Sequence, residues 1–267
     1  PLASEAQDLP KVAQALHAGR YSCAELLRPG DYQLLLVEAP NVPKEELKSA
    51  IRWRIKDMID YHVDDATLDV LDIPALDVSA PRNHMMYAVA ARNELIESKI
   101  RQCEAASIPL SVIDIPETAQ RNIAALYEEE ERALGLLYFS DKDGLLTINY
   151  RKELYLARRI DIGLEELGAD DAGAEGGALE RAAVEIQRTL DHFDRQFRSI
   201  AVTTLLIAPT PRETLVASFM NGRLGFEVRD IDLRDTLAFE GAAPEKDTQW
   251  RLFHHFGACL RYETKAL

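Results

Sequence analysis

Residues 41–75 read N-V-P-K-E-E-L-K-S-A-I-R-W-R-I-K-D-M-I-D-Y-H-V-D-D-A-T-L-D-V-L-D-I-P-A, and the fold class turns on how they are parsed. Pro43 followed by Glu45 and Glu46 predicts a helix start: proline in a first turn forfeits no hydrogen bond, and early carboxylates suit the positive end of the helix dipole. At 100° per residue, Leu47, Ala50, Ile51, Ile55 and Met58 fall on one stripe, with Ile59 at its margin, so the helix is expected to run from Val42 to Tyr61. After the Tyr-His-Val-Asp-Asp turn, Thr67 to Ile73 reads as a strand ended by Pro74. Trp53 breaks the stripe and projects among Glu46, Lys56, Asp57 and Asp60. An indole there either covers a second layer of core or serves as a docking surface with Arg52 and Lys56 as cationic neighbours.

Outward from this unit, residues 1–30 are helix-prone but broken by Gly19, Pro29 and Gly30. Tyr32–Glu38 is a short apolar run expected as a buried strand, and His84–Ala91 reads as another. Asn93 is placed to cap a helix through Ala106 with Leu95, Ile96, Ile100 and Cys103 on its apolar side. Ile108–Ile115 returns as a strand, and Pro116 opens a helix through Tyr127. Strands and helices so interleaved predict an α/β architecture.

Downstream, Glu128–Glu131 reads as a solvated helix end or loop. Leu134–Phe139, Leu145–Tyr150 and Leu154–Ile160 form a three-strand meander, turned at Asp143-Gly144 and Arg151-Lys152. Leu167–Ala178, poor in apolar bulk and rich in glycine, predicts a mobile loop. A long amphipathic helix follows over Leu179–Phe197, with Ala183, Ile186, Leu190, Phe193 and Phe197 inward. Thr203–Ala208 is a strand, Pro211–Met220 a helix, Phe226–Ile231 a strand, Glu240–Thr248 a loop and Trp250–Leu260 a final helix. The expected division is a first lobe, 1–127, holding a small subdomain at about 41–92, and a second lobe, 128–267, with the meander and C-terminal helices.

Composition narrows the function classes. A formal net charge of -14 over 267 residues argues against a nucleic-acid backbone as partner, because phosphate binding concentrates Lys and Arg. No apolar run approaches bilayer-spanning length. Three widely spaced cysteines, Cys23, Cys103 and Cys259, without C-x-x-C spacing, fit a reducing compartment and small buried hydrophobes. Nothing resembles a signal peptide, and a chain opening at Pro1 reads as trimmed.

Enzyme motifs are mostly absent: no G-x-x-x-x-G-K-[ST] loop, no G-x-S-x-G elbow, no H-E-x-x-H helix. His254 and His255, adjacent on a helix, point about 100° apart and suit core or surface positions better than one metal. Asp141-Lys142-Asp143-Gly144 lacks the first aspartate and closing glutamate of a calcium loop, and reads as a hairpin turn.

Taken together, Val42–Tyr61 with its acidic turn and T-L-D-V, the Leu136–Gly163 hairpin ending in D-I-G, and the Leu179–Phe193 helix before Thr203–Ala208 resemble the PilM-like family of actin-fold proteins. That family includes the cytoplasmic part of GspL of type II secretion, and the chain is most similar to its MshI-type members, of the mannose-sensitive haemagglutinin (MSHA) pilus. The likeness spans nearly the whole chain and implies an actin-like (ribonuclease H-like) two-lobed α/β fold, degenerate and missing its first N-terminal hairpin, which would precede Pro1. It further implies a cytoplasmic protein peripheral to the inner membrane, whose partners are a PilN-like assembly protein and the assembly ATPase.

An actin-like ATPase holds phosphates between hairpins rich in glycine and hydroxyl side chains. Here the second hairpin falls at Ser140, Asp141, Asp143 and Gly144, with two carboxylates that repel phosphate unless a metal intervenes. The adenosine-side turn reads Ala208-Pro209-Thr210-Pro211, where prolines remove donors. The expectation is a non-catalytic scaffold with no cofactor, no catalytic residue, no metal, and Arg52, Trp53 and Lys56 as partner-binding residues. The alternative is an ATP-binding ATPase whose Asp141 or Asp143 holds magnesium.

Overall fold

In the computed structural model the described residues are 8–74, 84–169, 174–211 and 216–261. They form two compact units divided between Pro116 and Glu117. The sequence-based boundary lies after Tyr127, beyond the helix that opens the second unit.

The first unit contains α1 (Leu9–Ala15), β1 (Cys23–Leu26), β2 (Tyr32–Glu38), α2 (Leu47–Ile55), β3 (Ala66–Asp72), β4 (Met85–Arg92), α3 (Asn93–Ala105) and β5 (Leu110–Asp114). β1 pairs in parallel with β5. β4 sits between β2 and β3 in an antiparallel three-stranded sheet. Alternation along the strands sorts their side chains to two faces. Leu35, Val37, Leu68, Val70, Met86 and Ala88 meet Ile51 and Ile55 of α2, while Leu34, Leu71 and Val89 gather with Leu27, Ile96, Ile113 and Ile115.

Three expectations need correction here. The helix is shorter than predicted: a 3₁₀ turn over Lys44–Glu46 precedes it, and it stops at Ile55 rather than Tyr61. Past its end the 100° spacing no longer holds, so Met58 is 46% exposed while Ile59 is buried. Asn93 does not cap α3; its side chain accepts from Thr67 Oγ1 and donates to the Asp64 carbonyl, tying the helix start to the α2–β3 turn. Strand β1 lies in a segment read only as helix-prone. Of the cysteines, all unbridged, Cys103 alone is buried.

The second unit begins with α4 (Pro116–Ala124, its first residue at the boundary). The meander β6 (Ala133–Phe139), β7 (Gly144–Tyr150) and β8 (Glu153–Ile160) follows, then α5 (Leu164–Leu167), α6 (Ala178–Gln196), β9 (Val202–Ile207), α7 (Val216–Leu224), β10 (Glu227–Asp230), α8 (Lys246–Arg251) and α9 (Phe253–Cys259). The sheet order is β10-β9-β6-β7-β8, antiparallel through the meander and parallel from β6 outward to β10. Every residue of β7 is buried, as a central strand covered on both faces requires. The predicted final helix is two helices joined at Leu252, and α8 begins inside the stretch read as a loop. The predicted starting turn of α7 falls on 212–215, outside the described residues, as does 170–173 of the predicted mobile loop.

The glutamate run does more than solvate a loop. Arg151 and Lys152 form the β7–β8 turn with φ of 52° and 64°, a conformation that side chains other than glycine resist. Glu131 receives the Arg151 guanidinium at 2.7 Å, and Glu128 accepts the Lys152 N–H at 2.6 Å.

α4 is buried along its length yet carries Glu117, Thr118, Gln120, Arg121 and Asn122. Gln120 Nε2 donates to the carbonyls of Leu136 and Leu145 and to Thr147 Oγ1, so its Oε1 is left facing His254 Nε2 at 3.1 Å. That fixes the neutral His254 as the Nε2–H tautomer. α9 lies against α4 with Gly257 at the contact: a Cβ there would come within 2.1 Å of the Ala119 carbonyl oxygen.

Gly257→Ala is therefore expected to destabilise the protein by about 1–3 kcal/mol in urea denaturation, although alanine is the better helix former. Burial, reinforced by the Arg159 cation, holds the partly buried His254 imidazole down at about 3 from its ordinary 6.5. The unfolded chain then binds the extra proton first, so stability is lost as pH falls from 6.5 towards 3. In NMR the His254 ring resonances should stay those of a neutral imidazole from pH 7.5 to 5; a midpoint near 6.5 would refute this burial.

Candidate functional site

Two places in the chain carry the residues singled out from sequence. One is the outward face of α2. Because Ile51 and Ile55 must face the sheet, Trp53 is turned away from it, and its side chain is 71% exposed. This removes the reading of Trp53 as a second layer of core. Lys56 stands 5.9 Å from the centre of the indole. Arg52 lines the same face and also works within the unit: its guanidinium donates to the carbonyls of Val63 and Ala66 at 2.5 and 3.1 Å, clamping the returning chain to the helix.

Between helix and returning chain lies a groove of about 870 Å³, lined by Ser49, Trp53, Asp57, Asp60, Tyr61 and Asp64 among others. Arg92 stacks 4.2 Å from the Tyr61 ring and lies 3.4 Å from Asp60. Burial raises the Tyr61 phenol above its ordinary range, and its hydroxyl meets no hydrogen-bond partner among the described residues. Asp60 was placed beside Trp53 by the sequence reading but given no role, and Tyr61 escaped it because the helix was carried through both; the acidic turn was the available signal.

The other place is the β6–β7 turn. Ser140 organises it: its N–H donates to the Asp143 carbonyl, and its Oγ accepts from the N–H groups of Lys142 and Asp143 while donating to the Asp143 carboxylate. Arg159 lies 3.5 Å from the other Asp143 oxygen and donates to the buried Glu117 at 2.9 Å. The Ser140 and Asp141 carbonyls receive the N–H groups of Leu164 and Glu165. Gly163 of the D-I-G string is explained by this closeness, since a Cβ would sit 2.2 Å from the Asp141 oxygen. A phosphate at this turn would thus find the N–H groups of Ser140, Lys142 and Asp143 spent and two carboxylates nearby. Glu117 and Arg159 stand 42 residues apart, and no sequence spacing joins them. At the end of β9, the Ala208 N–H donates to the Leu137 carbonyl, and Pro209 and Pro211 have no N–H to offer.

Among the described residues no group of three or more His, Cys, Asp or Glu side chains could hold a metal ion, and no helix is long and apolar enough to cross a membrane.

No protein-family model matches the chain, and no curated protein matches it by sequence. Solved structures do. The PilM–PilN type IV pilus biogenesis complex is similar with a TM-score of 0.67 at 16% identity, covering 97% of this chain and 84% of that one. The cytoplasmic domain of EpsL, an inner membrane component of the type II secretion system of Vibrio cholerae, is similar with a TM-score of 0.50 at 12% identity, over 97% of this chain and 82% of that one. At such identities the likeness is one of fold, and the fold is the actin-like, two-lobed α/β fold expected from the sequence.

Proposed function

We propose that this chain is a non-catalytic scaffold of type IV pilus biogenesis, of the MSHA type. In this reading it sits on the cytoplasmic face of the inner membrane and binds a PilN-like assembly protein, with the assembly ATPase as its other contact. The observation that carries the proposal is the 71% exposed Trp53 beside its groove. An indole in that position adds apolar contact area to an interface and leaves the monomer's core untouched. Support comes also from the fold likeness to a structure solved as a PilM–PilN complex.

The same reading gives the chain no nucleotide chemistry. The residues of the β6–β7 turn do not fit a polyphosphate: hydrogen bonds within the turn consume the donors that would hold it, and Asp141 and Asp143 add negative charge. ATP and magnesium accordingly take no part in the work proposed for this scaffold.

Two measurements test the proposal. Adding Mg-ATP should leave the melting temperature unchanged, whereas a nucleotide present at a hundred times its Kd would stabilise the fold by about 2.7 kcal/mol; a saturable rise would favour an ATPase. Trp53→Ala should preserve the far-UV spectrum and the melting temperature. It should also weaken binding of a PilN-like cytoplasmic segment by about five- to thirtyfold, the usual cost of losing an interface anchor. Unchanged affinity would remove the groove from the interface.

A further inference from the structure

We infer that the outer edge of β2 is a self-association surface, at which two copies of this chain join their sheets antiparallel about a two-fold axis at Leu35. The inference is independent of the docking surface at Trp53. β4 lies between β2 and β3, so the three-stranded sheet has two edges. The Ala39 N–H donates to the His84 carbonyl, continuing the register in which Val37 faces Met86 and Leu35 faces Ala88. Hydrogen-bonded and non-hydrogen-bonded pairs alternate along an antiparallel ladder. Gln33, Leu35 and Val37 therefore direct their N–H and carbonyl groups to β4. Leu34, Leu36 and Glu38 direct theirs away from it.

The two edges differ in protection. The same alternation, carried across β4, turns Ala66, Leu68 and Val70 of β3 outward. There the Val70 N–H donates to Asp69 Oδ1 at 3.0 Å, that carboxylate pairs with Lys48 at 2.9 Å, and Arg52 donates to the Ala66 carbonyl at 3.1 Å. Charged side chains so placed keep other strands off a sheet edge. β2 has no such guard. It holds no proline, no bulge and no charge before Glu38. The outward N–H groups of Leu34, Leu36 and Glu38 meet no hydrogen-bond partner among the described residues, and Leu36 is 41% exposed. A second β2 fits this edge. With Leu35 facing its own copy on the axis, Leu34 pairs with Leu36 of the second copy and Leu36 with its Leu34, so the outward leucine donors and acceptors are all met. Tyr32 then stands opposite Glu38, and no carboxylate opposes another. The copies, each of formal net charge -14, repel at longer range, so salt strengthens their association.

Sedimentation velocity of the full chain should show a monomer–dimer equilibrium that moves towards dimer with protein concentration and with salt. As the dimer fills, amide hydrogen exchange should slow at Leu34, Leu36 and Glu38. Leu36→Pro removes an outward donor and leaves the ladder to β4 intact, and Leu36→Lys sets a charge on the edge. Each should weaken the dimer by about tenfold or more, because the two-fold repeats every loss. Trp53→Ala should leave the dimer unchanged. A chain that stays monomeric up to its solubility limit overturns the inference. So does a dimer whose Leu34, Leu36 and Glu38 amides exchange as fast as in the monomer, or one that survives both Leu36 substitutions.

Discussion

The Arg52 guanidinium decides what the α2 region can do. Two charge-assisted donations to the Val63 and Ala66 carbonyls hold the chain where it turns back from the helix into β3. Hydrogen bonds to a charged group contribute roughly 1.5–3 kcal/mol, more than a neutral pair. Their geometric effect matters as much. With Ile51 and Ile55 drawn into the sheet and Arg52 holding the return, Trp53 has nowhere to point but outward, and the gap between helix and turn stays open as a groove. Arg52, read from sequence as a contact for a partner, lines that groove and also braces it from within.

A parallel economy of hydrogen bonds governs the second unit. α4 is buried with five polar or charged side chains, and unpaired polar groups in such a place cost free energy. Gln120 answers by bonding to two carbonyls of the central strands, and Arg159 answers Glu117 and Asp143 together. The β6–β7 turn does the same through Ser140. The Lys142 and Asp143 N–H groups are turned to Ser140 Oγ, and the Asp141 and Lys142 side chains are left exposed. The turn keeps the shape of a hairpin while its polar capacity is directed to its own closure.

Much of this was legible in the sequence, for a physical reason: period and punctuation are local. Tyr32–Glu38 and the three meander strands declare themselves by apolar runs between turn residues, and Pro43 and Pro116 mark where helices begin. The errors cluster where a non-local partner overrules the local signal. Periodicity carried α2 through to Tyr61, because nothing in the string announces that Arg52 will fix the returning chain. Asn93 looked like a cap because asparagine so often is one, and Thr67 across the sheet claimed its side chain instead. β1, four residues long, exists by pairing with β5 more than eighty residues away. Of the candidate site, the Trp53 exposure was readable as a phase error in a helix; the Glu117–Arg159–Asp143 chain of ion pairs was not, since its members share no element.

The two regions lead to one conclusion about how such a fold could change its work. A nucleotide site needs backbone donors left unsatisfied until the ligand arrives, and that unsatisfied state destabilises the empty protein. In the β6–β7 turn the Lys142 and Asp143 N–H groups are satisfied by Ser140 Oγ, which avoids that cost. A docking groove makes no comparable demand, because an exposed indole and solvated carboxylates are stable without a partner. The groove at α2 is formed wholly by residues 49–64 of the first unit. The residues that shape it are not those of the β6–β7 turn, so docking at the one and phosphate binding at the other place separate demands on the sequence.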